Sequence, residues 1–309
     1  MKKKGEKIFI LIGIILMIII PLTSAGFIDW FKKTITGQAT NLPTNVSVTI
    51  SGTNDVIIES IRVVGYPDIT LIEGQGKDIT INVVLNDTDG VNDINDSSVQ
   101  ANISNTADGI TRSNTSCVHL GDLDAQRANY SCVISMWYWD IQGVWNVSAS
   151  GEDLGTKVRT HNISETNLSL GILKALTINP LLITWVTVNP GGTNAKASNE
   201  TFVNNTGNYN STINVTGINI YGETITTESI NVSNFTAGST NECDITGVTA
   251  SYLINNTAVT VNNTFANRGN LSIGSGTGQE KIFWCIPNVP YVSSQTYSTN
   301  SSGGWIIAY

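Results

Sequence analysis

Acidic and amide side chains gather around a single glycine between residues 86 and 96. The run reads Asn86-Asp-Thr-Asp-Gly-Val-Asn-Asp and continues to Asp96. Calcium and other hard cations prefer such oxygen ligands. The run is not an EF-hand loop, because placing Gly90 at the sixth position puts Leu85 at the first. A plain turn between two strands is the other interpretation, since Asp and Gly suit turn geometry. The candidate calcium ligands are Asp87, Asp89, Asp93 and Asp96.

Residues typical of catalysis are few and scattered. The chain has two histidines, His119 and His161, and neither lies in a His-Glu-x-x-His pattern. The sequence also lacks the Gly-x-Ser-x-Gly elbow that presents a nucleophilic serine. We therefore predict that the protein is not an enzyme and needs no cofactor beyond the candidate calcium ion.

The four cysteines favour disulfide bonds. An even number in an exported chain points to bridges, and without a Cys-x-x-Cys pattern no zinc site is expected. Four cysteines allow three pairings. Keeping each pair within one predicted domain favours Cys117–Cys132 and Cys243–Cys285.

The N-terminus has the organisation of a secretory signal peptide. Four lysines precede an apolar run from Ile8 to Ile20, and small residues end the segment at Ala25. The run is shorter than the roughly 20 residues of a spanning helix. We expect cleavage after Ala25 and a secreted, extracellular protein at the cell surface. An uncleaved membrane anchor and a pilin-type signal cut near Gly5, which retains the apolar helix for assembly, are the alternatives.

The charge of the chain excludes some partners. The net charge is −8, and removal of residues 1–25 takes away four lysines and one glutamate, which leaves −11. Nucleic-acid binding draws on clustered Lys and Arg, so no nucleic-acid partner is expected. The same negative charge argues against binding to an anionic membrane surface. We therefore expect contact with a membrane only through the N-terminal segment, if that segment remains uncleaved.

Asparagine, serine and threonine replace charge as the solubilising groups. The chain holds 35 Asn, and many begin an Asn-x-Ser/Thr glycosylation acceptor. Several of these are predicted to carry glycans, which are bulky, solubilising surface groups. The alternative is a Thr- and Asn-rich β surface with incidental acceptors. The 19 acceptors are Asn45, Asn86, Asn95, Asn102, Asn114, Asn129, Asn146, Asn162, Asn167, Asn199, Asn204, Asn210, Asn214, Asn231, Asn234, Asn255, Asn262, Asn270 and Asn300.

Hydrophobic alternation predicts an all-β chain. About seven short alternating segments between residues 45 and 165 indicate an antiparallel sandwich, as Ile79 to Leu85 illustrates. A second sandwich is predicted over residues 166–309. Its continuous apolar run from Leu181 to Val188 suits a sheet interior. Residues 26–44 are predicted to form a linker or a short amphipathic segment.

The stretch from Asn129 to Gly155 is predicted to be a hairpin of two long antiparallel strands around a short turn. Alternation places Cys132 and Tyr138 on one face of the first strand and Trp137 and Trp139 on the other. If this second face points outward, the two tryptophans are candidate binding residues that stack on a sugar or bury against another domain or subunit. The alternative is a strand that is buried on both faces.

Short motifs of the chain resemble immunoglobulin-like surface proteins of small-genome archaea. They are Trp30-Phe-Lys-Lys-Thr-Ile-Thr-Gly-Gln-Ala, Asp87-Thr-Asp-Gly-Val-Asn-Asp, Tyr130-Ser-Cys, Trp137-Tyr-Trp-Asp and Gly143-Val-Trp-Asn-Val. The run Val203-Asn-Asn-Thr-Gly-Asn is similar to modules of archaeal S-layer and cell-adhesion proteins. The resemblance implies two immunoglobulin-like sandwiches and structural or adhesive work outside the cell.

These observations predict a secreted, N-glycosylated structural or adhesive protein, as in an extracellular filament or surface layer. Its expected partners are other surface proteins, copies of itself, and glycans. A carbohydrate-binding module is the alternative from another class, and a pilin-like subunit with a retained N-terminal helix is the third.

Overall fold

The structure is a computed structural model that describes residues 47–48, 52, 54–65, 68–155, 159–164, 167–243, 246–271, 278–299 and 303–309. The chain divides into two compact units, residues 1–50 and 51–309. The predicted signal peptide, the segment 26–44 and two of the acceptors, Asn45 and Asn300, lie outside the described residues. Within the part described, no helix is long and apolar enough to cross a membrane. Everything that follows concerns the second unit.

In the first lobe of this unit, the described residues form ten strands in two facing sheets. One sheet has the order β1-β3-β7-β6, and the other has the order β2-β10-β8-β4-β5, with β9 paired to β8. All of these pairs are antiparallel except β2 with β10. Two 3-10 turns, Val91–Asp93 and Asp96–Ser98, lie between β3 and β4. The strands are β1 Ile57–Val63, β2 Asp68–Ile69, β3 Gly76–Asn86, β4 Gln100–Asn105, β5 Ile110–Asn114, β6 Val118–Asp122, β7 Arg127–Trp137, β8 Gly143–Glu152, β9 Arg159–Ile163 and β10 Leu168–Leu170.

The core of the first lobe follows from the period-two alternation of its long strands. Side chains on a strand point to opposite faces in turn, so every second residue of β3, β7 and β8 enters the space between the sheets. The buried hydrophobic residues from these three strands are Ile79, Ile81, Val83, Leu85, Ala128, Tyr130, Cys132, Ile134, Met136, Trp145, Val147 and Ala149. They belong to one hydrophobic cluster that also includes Leu168 and Leu170 of β10. The predicted all-β sandwich architecture is confirmed.

The predicted hairpin between residues 129 and 155 is wrong, because its two strands lie in opposite sheets. Strand β7 pairs with β3 and β6, whereas β8 pairs with β4, β9 and β10. The buried carboxylate of Asp140 holds the crossover. It accepts hydrogen bonds from the backbone N–H of Trp137 at 2.7 Å and from the guanidinium of Arg112. Trp145 then donates its indole N–H to the Ile141 carbonyl oxygen at 2.8 Å. Alternation predicted which faces are buried, but the face of a strand does not specify its partner.

In the second lobe, the part of the chain that the structure describes forms twelve strands in three sheets. Their orders are β11-β13-β20-β17-β18 with β12 paired to β20, β19-β14-β22, and β16-β15-β21. A 3-10 turn spans Val232–Asn234. A second hydrophobic cluster, which includes Phe235, Ile282 and Trp284, fills this lobe. The strands are β11 Leu176–Asn179, β12 Thr193–Lys196, β13 Thr201–Asn205, β14 Asn214–Thr216, β15 Ile220–Gly222, β16 Ser229–Ile230, β17 Thr236–Gly238, β18 Ala250–Tyr252, β19 Val259–Thr260, β20 Gln279–Asn288, β21 Tyr297–Ser298 and β22 Ile306–Ala308.

The predicted interior strand from Leu181 to Val188 is also wrong. The segment has no strand pairing, and Leu181 is 85% exposed. Hydrogen bonds that involve side chains hold the segment in place. The indole N–H of Trp185 donates to the Ala195 carbonyl oxygen at 3.1 Å, and the Thr184 N–H donates to Asn199 Oδ1 at 3.0 Å. The run of apolar residues predicted burial, but within this segment it is Ile183, Trp185 and Val188 that pack against the core, and each is only partly buried.

Candidate functional site

Three carboxylates converge where β3 leaves the first sheet. Asp87, Asp89 and Asp93 each place one oxygen within 4.8 Å of the oxygens of the other two. Asp87 is fully buried and Asp93 nearly so, whereas Asp89 is exposed. The loop that joins them turns at Gly90, whose φ of 114° is a backbone conformation that few residues other than glycine adopt. The three acids that the sequence places around Gly90 therefore do meet in space.

Backbone groups from an earlier part of the chain bind two of these carboxylates. The Gly52 N–H donates to Asp93 Oδ2 at 2.7 Å. The Asn54 N–H donates to Asp89 Oδ2 at 2.7 Å, and the Asn54 side-chain amide donates to the same carboxylate at 3.0 Å. A Cβ at position 52 would overlap the Asp89 side chain as it stands, so a larger residue there would have to displace that carboxylate. Thus Gly52 and Asn54 lie directly against the acidic loop.

The inner carboxylate, Asp87, is only half satisfied. Its Oδ1 accepts the Asp89 N–H at 2.8 Å, while its Oδ2 is buried and has no hydrogen-bond partner. Burial raises the pKa of Asp87 most, the Asp89 N–H lowers it, and the negative charges of Asp93, Asp89 and Asp153 raise it further. A buried carboxylate among other carboxylates is electrostatically unfavourable in the absence of a cation.

Asp96, the fourth candidate ligand, lies apart from the three. Its Oδ1 accepts the Tyr130 hydroxyl at 2.6 Å, and its Oδ2 lies 3.7 Å from His119 Nδ1. The sequence missed a different acid, Asp153, which is fully buried and forms a β-bridge with Ile94. Asp153 follows β8, more than fifty residues from the acidic loop, so no local pattern could have associated it with that loop.

The two candidate binding tryptophans stack on each other. The rings of Trp137 and Trp139 lie 5.1 Å apart with an interplanar angle of 9°, and Tyr138 meets Trp139 edge-on. Trp137 is 39% exposed and rests against Gly76, where a Cβ would come within 3.2 Å of the indole ring. Each indole therefore has one face covered by its neighbour, and Trp137 remains the more accessible of the pair.

A polar junction that sequence reasoning missed joins the two lobes. Four residues at the end of β13 and directly after it are all buried although three are polar: Asn205, Thr206, Gly207 and Asn208. The Gly74 N–H donates to the Thr206 carbonyl oxygen at 3.0 Å, and the Thr206 hydroxyl donates to Glu73 at 2.7 Å. The only signal in the sequence was a run of small polar residues that a solvent-exposed turn would also show.

Further contacts fix the connection between the lobes. Asn208 receives the Leu173 N–H on its Oδ1 at 2.7 Å and donates its side-chain amide to the Gly171 carbonyl oxygen at 3.0 Å. At the other end of the junction, Arg268 pairs with Asp108 and donates to the Trp139 carbonyl oxygen at 2.9 Å. The junction therefore ties the connecting segment and two loops of the first lobe to the second lobe.

Both predicted disulfide bonds are present. Cys117 is joined to Cys132 of β7, and Cys243 is joined to Cys285 of β20. The first bridge links the residue before β6 to the neighbouring strand of the same sheet. The second anchors the loop after β17 to the longest strand of the second lobe.

The glycosylation acceptors lie at the surface. Seventeen of the 19 acceptor asparagines are among the described residues, and all seventeen are exposed or partly exposed. The buried asparagines in the described ranges are Asn105, Asn205 and Asn208, and none of the three begins an Asn-x-Ser/Thr sequence. Acceptor asparagines and buried asparagines are thus separate sets in the described part of the chain.

Comparisons with known proteins give distant structural likenesses alone. No protein-family model matches this chain, and no curated protein matches it. Among solved structures, a DUF4785 family protein from Legionella pneumophila is 9% identical with a TM-score of 0.24 over 82% of this chain, and the chain spans 45% of that protein. A chimeric titin Z1Z2 tandem carrying a GRGDS peptide from fibronectin is 14% identical, with a TM-score of 0.19. The match covers 80% of this chain and 95% of the titin chain. At these TM-scores neither protein informs the function of this chain.

Proposed function

We propose that this chain is a secreted, N-glycosylated structural or adhesive protein of the cell surface, a subunit of an extracellular filament or surface layer. The observation that carries the proposal is the placement of the acceptors. A glycan needs an asparagine that reaches solvent. All seventeen described acceptors are exposed or partly exposed, although the side-chain oxygens of Asn86 and Asn129 are buried, and the buried asparagines of the same part of the chain are not acceptors. The surface is therefore suited to a glycan coat on both lobes.

The disulfides support an extracellular location. Disulfide bonds persist in oxidising compartments and are rare where thiols are kept reduced. All four cysteines of the chain are paired, one bridge in each lobe. This supports export and agrees with the leader-like N-terminus.

The junction supports a structural role. Domains joined by a flexible linker move independently, whereas buried hydrogen-bonded contacts hold two lobes in one arrangement. Here Asn208, Thr206 and Arg268 bind the connecting segment and loops of the first lobe. A subunit with a fixed shape suits a regular assembly.

Peptide and intact-mass spectrometry of the native protein tests the proposal. We expect a mature chain that begins near residue 26, glycans on exposed acceptors such as Asn146 and Asn231, and no glycan on Asn105 or Asn205. A mature chain that begins near residue 6 would instead support the pilin-like alternative. Retention of residues 1–25 together with unmodified acceptors would refute secretion and glycosylation at once. Electron microscopy of native cell envelopes then tests assembly, and we expect regular arrays or filaments.

A carbohydrate-binding module is the second candidate, because Trp137 presents an exposed indole in a stacked pair. Exposed indole rings are suited to stacking on sugars. A glycan array separates the two candidates. Saturable binding that is lost in Trp137→Ala, by a protein that forms no assemblies, would favour the carbohydrate-binding module over the structural role.

A further inference from the structure

We propose that Asp87, Asp89 and Asp93 bind a divalent cation of the calcium class at the end of β3. One oxygen from each residue lies within 4.8 Å of the other two. Calcium is bound by protein oxygens at about 2.3–2.6 Å, so ligands on opposite sides of the ion lie about 5 Å apart. Three carboxylate oxygens this close together can be ligands of one such ion, and water molecules would complete its coordination.

A second observation separates this site from an ordinary acidic turn. Asp87 is fully buried, and its Oδ2 has no hydrogen-bond partner. Exposed acids in a loop are satisfied by water, but a buried carboxylate oxygen without a donor carries the full cost of its desolvation. A cation bound between the carboxylates supplies the partner that this oxygen lacks.

No cationic side chain among the described residues supplies this partner. The salt bridges seen among the described residues involve neither Asp87 nor Asp93. The backbone N–H of Gly52 satisfies one oxygen of Asp93 but brings no full charge. Two buried or nearly buried carboxylates thus face each other with a third beside them, and a counter-ion from solvent offsets their repulsion.

The donor set selects the kind of ion. All three donors are carboxylate oxygens, and neither cysteine sulfur nor histidine nitrogen belongs to the group, which suits a hard cation better than zinc or copper. Calcium tolerates irregular sites with several ligands, whereas magnesium demands near-ideal octahedral geometry. The loop is irregular and mixes buried with exposed acids, so calcium is the better fit.

A bound ion would also stabilise the segment before β1, at the start of the sandwich. Asp93 accepts the Gly52 N–H, and Asp89 accepts the backbone and side chain of Asn54. Fixing these carboxylates around an ion fixes the acceptors for both residues. The ion therefore stabilises the segment that enters β1 as well as the loop that leaves β3.

Calorimetric titration and thermal unfolding of the full chain test the site with calcium chloride, magnesium chloride and EDTA at matched ionic strength. Calcium at about 10 mM should raise Tm by about 3–10 °C, if the affinity is that of extracellular calcium modules. Magnesium should give a smaller shift. Asp89→Asn, at an exposed position that tolerates the change, should lose most of the calcium shift, and Asp87→Asn should lose it as well. Unfolding of parent and variants in EDTA separates the calcium shift from any change in stability that comes from the altered hydrogen bonds of Asp87 and Asp89.

Glu242→Gln is the matched control, since it removes one negative charge from a well-exposed side chain of the second lobe. It should keep the full calcium shift. Absence of calcium binding by the parent protein at about 10 mM would overturn the proposal, since even weak extracellular calcium sites are occupied at that concentration. Unchanged calcium affinity in Asp89→Asn would also overturn it. So would an equal loss of the shift in Glu242→Gln, because that result indicates general charge screening.

Discussion

Arg268 of the second lobe forms a salt bridge with Asp108 of the first, and both side chains are less than one fifth exposed. The same guanidinium donates to the Trp139 carbonyl oxygen at 2.9 Å. One side chain therefore joins the loop after β4 and the crossover after β7 to the second lobe. Partly buried charged contacts of this kind are worth more than surface pairs, because water competes with them less.

Replacement of Arg268 by alanine should weaken the junction. We expect Arg268→Ala to lower the free energy of unfolding by about 1–3 kcal/mol, since it leaves the Asp108 carboxylate and the Trp139 carbonyl without their donor. Urea unfolding measures this loss. Hydrogen exchange at the Leu271 N–H, which donates to the Tyr138 hydroxyl across the same junction, should speed up. Lys281→Ala removes a more exposed cation paired with Glu200 and should change the stability less.

Gly207 should tolerate no side chain. A Cβ at this position would overlap the Leu173 carbonyl oxygen and come within 3.0 Å of the Ala175 backbone nitrogen. Backbone atoms cannot rotate away as a side chain does, so Gly207→Ala should cost at least about 2 kcal/mol in thermal or urea unfolding. Gly304→Ala is the control, because a Cβ at Gly304 meets nothing within 4 Å. Equal stability of the two variants would show that the close approach at Gly207 does not constrain the junction.

The crossover between the sheets should depend on Asp140. Its buried carboxylate accepts the Trp137 N–H and the Arg112 guanidinium, and Arg112 is itself mostly buried. Asp140→Ala leaves a partly buried cation without its partner, and we expect a loss of about 3–5 kcal/mol. Glu59→Ala removes one member of an exposed pair with Arg127 and should cost less than about 1 kcal/mol. A loss at Asp140 no larger than the loss at Glu59 would mean that the turn holds its shape without the carboxylate.

The sequence predicts which face of a strand is buried, but it does not predict which strands pair. The alternation of Ile79, Ile81, Val83 and Leu85 identifies the buried face of β3, because side chains along a strand alternate strictly. The same rule says nothing about which strand lies alongside. A hairpin and a crossover between sheets share the pattern of β7 and β8, and the choice between them depends on Asp140 and Arg112, which are distant in the sequence.

For the acidic site too, the residues that are close in the sequence could be predicted and those that are distant could not. Asp87, Asp89 and Asp93 are close in sequence around Gly90, so a tight turn brings them together. Gly52, Asn54 and Asp153 reach the site only because β1 begins and β8 ends beside it. Likewise, the buried run Asn205–Asn208 resembles a surface turn in composition. Contacts distant in the sequence explain its burial, since Asn208 binds Gly171 and Asn205 binds the Ala266 carbonyl oxygen.

Glu228 should make the second lobe sensitive to acid. Its carboxylate accepts hydrogen bonds from Ser293, from the Tyr297 hydroxyl at 2.7 Å and from Gln295. The bonds from Ser293 and Tyr297 are the main reason that the pKa of Glu228 lies below its ordinary value of 4.5. A carboxylate with a lowered pKa in the folded state stabilises the protein fully above its unfolded pKa. That stabilisation is lost as the pH falls through the lower folded value.

The Glu228→Gln variant isolates this contribution. Near neutral pH the parent should be more stable than Glu228→Gln, because a neutral amide accepts these hydrogen bonds more weakly than a carboxylate. As the pH falls below about 4.5 the parent carboxylate takes up a proton, so the two melting temperatures should converge. Thermal unfolding across this pH range measures the difference, and Glu242→Gln serves as a control for the loss of an exposed acid. A difference between parent and Glu228→Gln that stays constant with pH would mean that the ionised carboxylate does not stabilise the loop carrying Ser293 and Gln295.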